Sequence, residues 1–271
     1  MRAAFIEGFG GPDRIRYDEL PDPVPGPGQV LVRPEAVAVD SVDTYVRSGA
    51  WPTPVTFPLA VGRDLAGPVA ATGPDVTEFG PGDRVWTNSA GYDGRPGATA
   101  ELAVVAQERL YRLPGGADPV PFVAAVHPAA TAYGALIRRA RLRPGETVAV
   151  AAAGGGVDVL VDTTGQLDLG AAAAHLNPRG RIVAIAGRGR RIDVDQWSFY
   201  TRELQLLGFI MSAMTVGELA AAAAWINVHT PAVSVGPVLT FADAARAHTL
   251  MEAGELPRRP DRTVGRLVLT P

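Results

Sequence analysis

From Arg2 to about Leu113 short apolar, β-type runs alternate with glycine and proline, as in VLVRPEAVAV, GPVAATG, GDRVW and TAELAVVA. Strand-length runs set off by turn residues at close spacing predict a compact antiparallel β domain. From Pro121 the texture changes to an alanine-rich helical stretch, VAAVHPAATAYGALIRRA, followed by the turn RPGE and the strand TVAV. Then come the strand VDVLVD, an alanine-rich helix around Leu169 to Leu176, the turn NPRG, the strand RIVAIAG, a loop carrying RGRR and a helix from Val216 to Ile226. Alternation of strand and helix predicts a parallel sheet flanked by helices. PVLTF, the helix ADAARAHTLMEAG and the strand GRLVLT follow, and no internal repeat is present. The expected organisation is α/β: an antiparallel β domain over 1–120, closed by 241–271, and a parallel-sheet domain over 121–240.

The segment Ala151 to Gly156, AAAGGG, joins the strand Thr147–Val150 directly to the strand Val157–Asp162. In a nucleotide-binding α/β domain the loop after the first strand opens a helix whose N-terminus holds a pyrophosphate. Here a strand follows instead of a helix. The G-x-G-x-x-G fingerprint also fails, because Gly154, Gly155 and Gly156 are followed by Val157, Asp158 and Val159. A crossover between neighbouring parallel strands takes a dozen or more residues, so the two strands are expected either to form a hairpin or to part company.

Composition narrows the field. The chain has 271 residues, 47% of them hydrophobic and 20% charged, with a formal charge of −3. That balance gives no electrostatic case for nucleic acid, and the basic segments Arg138–Arg143 and Arg188–Arg191 are short. The absence of cysteine excludes disulfides, thiolate nucleophiles and cysteine zinc sites, in keeping with a reducing cytosol. The start MRAAFIEGFG has no apolar core behind a basic end, and no stretch reads as the roughly 20 apolar residues of a membrane span. A soluble, cytoplasmic protein without membrane contact is expected. No G-x-S-x-G, H-E-x-x-H or P-loop pattern occurs.

The segments GFGGPD, LPDPVPGPGQVLV, VDSVDTYVRSG, PLAVGRDLAG, GPDVTEFGPGDRV, ATAYGAL, LRPGETVAV, VDVLVDTTG, NPRGRIVAIAG and GRLVLT occur in an order that resembles the medium-chain dehydrogenase/reductase superfamily, in its zinc-free quinone oxidoreductase-like branch. The resemblance covers nearly the whole chain. It implies a GroES-like antiparallel β domain and a Rossmann-like parallel-sheet domain with a cleft between them, transferring hydride from NADPH to quinones or conjugated enones. It also implies two further β-α units between TVAV and VDVLVD, on the order of 60 residues at about 30 each. Their absence makes the Rossmann-like domain a truncated one, without the pyrophosphate loop or the strand end that reads the adenosine ribose.

Laid onto the three ligand positions of zinc-dependent relatives, the resemblance points to Asp40 in AVDSVD, to Arg63 with its neighbour Asp64 in GRDLAG, and to His127 in VHPAATAY, converging in one pocket. A carboxylate beside an imidazole makes a general acid or base near neutral pH, with Asp40 and His127 the preferred pair. The alternative is an Arg63–Asp64 ion pair bracing the β domain and a His127 satisfied in the core. No metal is expected, since soft ligands are absent and Arg63 repels a cation. The resemblance places Tyr45 on the substrate side, near Asp43 and Arg47; its hydroxyl suits a substrate carbonyl or enolate. Trp51, Trp86, Asn88 and Tyr92 flank Gly/Pro loops and form a candidate aromatic wall, with core packing as the alternative for Trp86. Tyr133 and Trp197 complete the substrate set, although Trp197, with Phe199 and Tyr200, suits dimer-interface or core packing better. Family members dimerise by extending the Rossmann sheet, so a homodimer is expected, through Ile182–Ala186 or Val235–Thr240.

The expected activity follows from a retained cleft and a missing cradle. It is a cofactor-independent enzyme of bacterial secondary metabolism that cyclises, dehydrates, isomerises or adds to an enone- or quinone-like, polyketide-type small molecule. Asp40 and His127 move protons, while Tyr45 and Arg63 stabilise an oxyanion. The alternatives are an NADPH-dependent oxidoreductase with a curtailed site, aided by Arg188, Arg190 or Arg191, and a non-catalytic small-molecule binder.

Overall fold

The computed structural model describes residues 1–151, 155–229, 231–256 and 265–271. Residues 152–154, the middle of the AAAGGG link, lie outside the described residues. The chain forms two compact units, one of Met1–His127 with Val216–Pro271 and one of Pro128–Thr215.

In the first unit β1 (Arg2–Ile6) lies between β2 (Arg16–Glu19) and β5 (Leu59–Ala60) in an antiparallel three-stranded sheet. The main sheet holds eight strands, drawn from β3 (Gln29–Val32), β4 (Ala36–Val39), β6 (Asp64–Thr72), β7 (Arg84–Thr87), β8 (Ala103–Ala106), β9 (Tyr111–Arg112), β14 (Val235–Thr240) and β15 (Arg266–Thr270). β15 is inserted between β14, parallel to it, and β4, antiparallel to it. Its interior position follows from its side chains: Leu267, Val268 and Leu269 are completely buried. Leu267 and Leu269 join Val37, Val39, Leu65, Val85 and Phe241 in the main core.

Helix α1 (Ser41–Ser48) starts at Asp40, whose backbone N–H donates to Asp43 Oδ2 at 2.8 Å, and stops at Gly49 in the left-handed region, φ 73°. It packs on α6 (Ala244–Ala253). Buried Arg47 fixes that contact by donating to the Gly10 carbonyl at 2.8 Å and pairing with Glu252. Helix α2 (Pro119–Ala132) runs on as a π-helical stretch over Tyr133–Arg139. These 21 residues are long and apolar enough to cross a membrane by length and composition, which corrects the expectation that no stretch reads that way. Half of the segment's apolar window is nevertheless buried, and Phe122 to Val126 are core residues.

Helix α5 (Val216–His229) belongs to the first unit, so the division falls at 127/128 and 215/216 and not at 120/121 and 240/241. A polar link helps to hold it there. The Trp86 indole donates to Asn227 Oδ1 at 3.0 Å, and Asn227 Nδ2 donates to the Arg112 carbonyl at 3.0 Å. Val235–Thr240 likewise edges the main sheet of the first unit, so it is not available to extend the parallel sheet.

The second unit holds four strands in sequential order, β10 (Val148–Val150), β11 (Val157–Asp162), β12 (Leu176–Ala184) and β13 (Gln205–Gly208), all parallel. Short helices α3 (Leu169–Ala173) and α4 (Gln196–Thr201) connect the last three. The helix expected to reach Leu176 stops at Ala173, and NPRG lies inside β12. Alternate residues serve opposite faces. Leu160 and Ile182 pack with Leu169 and Leu204, whereas Val159, Val161 and Val183 pack with Ala135 and Ala140.

β10 and β11 neither form a hairpin nor separate: Val148, Ala149 and Val150 pair in parallel with Val159, Leu160 and Val161. In the usual dinucleotide-binding order, 3-2-1-4-5-6, the first and fourth strands are already neighbours. Omitting the second and third strands therefore removes one edge of the sheet and leaves that pair intact. The short link suffices because the chain must return only from the level of Val161 to that of Val157. That is about 13 Å along the strand and 5 Å across, well inside the roughly 23 Å reach of seven residues.

Candidate active site

Three strand ends and one helix bring charged side chains together in the first unit. Asp40 follows β4, Asp64 opens β6 opposite Ala38, and Arg266 opens β15 one residue beyond the Leu267–Val39 pair. His127 comes from α2. One potential donor atom from each of Asp40, Asp64 and His127 lies within 4.8 Å of the others. Asp40, Arg63 and Asp64 are buried, and Asp64 is completely inaccessible. His127 is the most exposed of the trio, with 17% of its side chain accessible.

The preferred Asp40–His127 pair is not the closest contact. His127 Nδ1 stands 3.7 Å from Asp64 Oδ1, too long for a hydrogen bond, while Asp40 Oδ1 pairs with Arg266. Arg266 was missed because it opens a strand whose other residues read as plain core. Burial pushes the Asp64 carboxyl up to about 7, against the pull of the Arg63 guanidinium. Asp43 is raised well above the usual carboxylate range by burial and by Asp64, with Arg63 opposing. Burial and the Arg63 charge push the His127 imidazole down, so it is neutral at pH 7. A buried, proton-bearing carboxyl beside a neutral, partly exposed imidazole is an arrangement that can deliver a proton.

Other residues fall around or outside this cluster. The Arg63 guanidinium lies over the Tyr92 ring, 4.8 Å from its centroid, and the Tyr92 hydroxyl accepts from the Trp51 indole at 3.1 Å. Asn88 is buried and its Oδ1 accepts from Ser89 Oγ at 3.4 Å. Tyr45 is 47% exposed, because the buried stripe of α1 runs through Asp43, Thr44, Val46 and Arg47 and leaves it on the outer face. Arg47 is taken by its helix-joining contacts. Trp86 is a core residue, fully buried against Tyr111 and Phe122, and not part of an open wall. Tyr133, half-buried, and Trp197, 69% exposed and edge-on to Tyr200, belong to the second unit.

Residues 26–115 match the alcohol dehydrogenase GroES-like domain family and residues 141–269 the zinc-binding dehydrogenase family. A quinone oxidoreductase of Lama guanicoe is 39% identical over 158 residues, 58% of this chain and 47% of that protein. One of Pseudomonas aeruginosa is 40% identical over 149 residues, 55% and 44% of the two chains. The native structure of a mycobacterial quinone oxidoreductase superposes with a TM-score of 0.83 at 26% identity, covering all of both chains. The chain belongs to the medium-chain dehydrogenase/reductase superfamily. It spans about half the length of the curated relatives it matches.

These relatives overturn the expectation of a cofactor-independent cyclase or isomerase. The two relatives above are named quinone oxidoreductases, and a mycobacterial structure described as complexed with NADPH superposes at a TM-score of 0.80, with 25% identity over all of both chains. The expectation of no cofactor falls with it.

A dinucleotide finds features suited to it in the second unit, at the carboxyl ends of parallel strands where ligands bind in open sheets. Asp162 Oδ1 accepts from the N–H groups of Thr164 and Gly165 at 3.0 and 2.9 Å, shaping the turn after β11. A Cβ on Gly165 would come within 2.2 Å of Gly187 N, so the two turns approach at a distance only glycine allows. Exposed Arg188, Arg190 and Arg191 follow, suited to phosphate. Among the described residues the chain passes after β10 into β11 without a helix, so the pyrophosphate has no helix N-terminus at that point.

Zinc, which the second family name implies, fits less well. The first unit offers two carboxylates and an imidazole without thiolates, and Arg63 and Arg266 stand beside the carboxylates.

Proposed function

We propose that this chain is an NADPH-dependent reductase of quinone- or enone-type carbonyl compounds, with its proton donor in the first unit. The observation that carries the reading is Asp64, a wholly buried carboxyl titrating near pH 7 beside a partly exposed imidazole. Bound NADPH supplies hydride, held by Arg188, Arg190 and Arg191 around the Gly165 and Gly187 turns. The carbonyl oxygen of a substrate that has accepted hydride needs one proton. His127 gives it from Nε2 as Asp64 Oδ1 returns a proton to Nδ1, and Arg63 stabilises the Asp64 carboxylate left behind. The transfer runs on the Nε2–H tautomer of neutral His127, whose Nδ1 is then the acceptor.

Calorimetric titration of NADPH into the protein, followed by loss of reduced-nicotinamide absorbance with a quinone and with an enone, tests the reading. Saturable binding and turnover that falls on the order of a hundredfold in Asp64→Asn support it. No binding of NADPH, or turnover indifferent to Asp64→Asn, sinks it.

A further inference from the structure

Asp40 Oδ2, both Asp64 carboxyl oxygens and His127 Nδ1 are buried without a hydrogen-bond partner among the described residues. Orphaned buried polar atoms are uncommon and point to something the site is built around. Two carboxylates and an imidazole with donor atoms within 4.8 Å form a set that a first-row divalent cation accepts. Yet the remaining oxygen of Asp40 is held by Arg266, itself buried enough that desolvation lowers its pKa. The β4–β15 register sets this contact, with Leu267 opposite Val39 and the next residues outward being Arg266 and Asp40.

We infer that Arg266 is the resident cation of this site, a positioning residue that occupies one carboxylate, supplies the positive charge a metal would bring and keeps divalent metal out. A guanidinium a few ångströms from the metal position repels a divalent ion and withdraws one ligand atom, and the effect is large because the surroundings are dry. Arg63, whose charge acts on both Asp64 and His127, adds to the repulsion. The claim concerns metal binding and not turnover, so it stands or falls separately from the reductase reading.

The test uses Co²⁺ alone as the probe, read by visible d–d absorption and by equilibrium dialysis, on the full chain and on Arg266→Gln and Arg266→Lys. The expected result is no stoichiometric Co²⁺ on the parent or Arg266→Lys. Arg266→Gln should bind one equivalent at least tenfold more tightly, and binding should be lost when Asp64→Asn is added. A folded Arg266→Gln that takes up no Co²⁺ overturns the inference. If Arg266→Gln does not fold, the parent and Arg266→Lys decide: stoichiometric Co²⁺ on either, abolished by Asp64→Asn, overturns it, and rejection by both supports it.

Discussion

Ionisation of Asp64 should make this protein less stable as pH rises toward neutrality, and Asp64→Asn should remove most of that loss. The folded carboxyl titrates at about 7 and the ordinary value is 3.8, so the unfolded chain releases this proton some three pH units before the folded one. Stability falls with rising pH wherever the folded state binds more protons. The contribution is intact below the unfolded pKa, declines between roughly pH 4 and 7, and is lost above the folded pKa. At about 1.4 kcal/mol for each pH unit separating the two titrations, the total is roughly 4 kcal/mol, with the attraction of Arg63 already included. Asn keeps the shape and cannot ionise. In urea unfolding of both proteins across this range, the stability of Asp64→Asn relative to the parent should rise by about 4 kcal/mol from about pH 4 to about pH 8. Asp43 titrates in the same sense, which is why the variant keeps some decline of its own. A difference that stays flat across the range refutes the reasoning, because it means Asp64 ionises as readily in the folded protein as in the unfolded one.

Asn227→Ala should cost about 1–2 kcal/mol in urea unfolding, since it leaves the buried Trp86 indole N–H without its acceptor. Gly165→Ala should cost roughly 1–3 kcal/mol and weaken NADPH binding by calorimetry, because φ is 66° and the new methyl meets the Gly187 backbone. Replacing Arg188, Arg190 and Arg191 together with Gln should raise the NADPH dissociation constant at least tenfold and flatten its salt dependence, with little change in melting temperature. Trp197→Ser, at a site 69% exposed, should change stability by no more than about 0.5 kcal/mol.

Much of the fold was legible because apolar runs and turn residues agree. VLV, AVAV and RLVLT announce buried strands, and each lies in the main sheet. The β10–β11 pairing is not legible from crossover length, because omitting the middle strands leaves as neighbours two strands that already lay side by side. The unit boundary is not legible in the periodicity because the hydrogen bond from Trp86 to Asn227, one of the contacts that hold α5 to the first unit, joins side chains far apart in sequence. Within the cluster, Asp40, Arg63, Asp64 and His127 were all singled out in advance. Their partners were not: Arg266 is far from Asp40 in sequence, and only strand register places it there. Tyr45 is on the outer face of a helix whose inner face carries charged residues, against the usual rule for amphipathic helices.

β15 has a bearing on how the chain acquires its structure. It is an interior strand of the main sheet, pairing Val268 with Ala38, yet the ribosome makes it long after β4 and after the whole of the second unit. The second unit is one uninterrupted stretch, Pro128–Thr215, and can gather its contacts as soon as it emerges. The first unit must wait, with β4 lacking a neighbour and its apolar residues uncovered, until β15 has been made. Pairings this distant along the chain make for slow folding. During synthesis the unit that begins before the other is therefore completed after it.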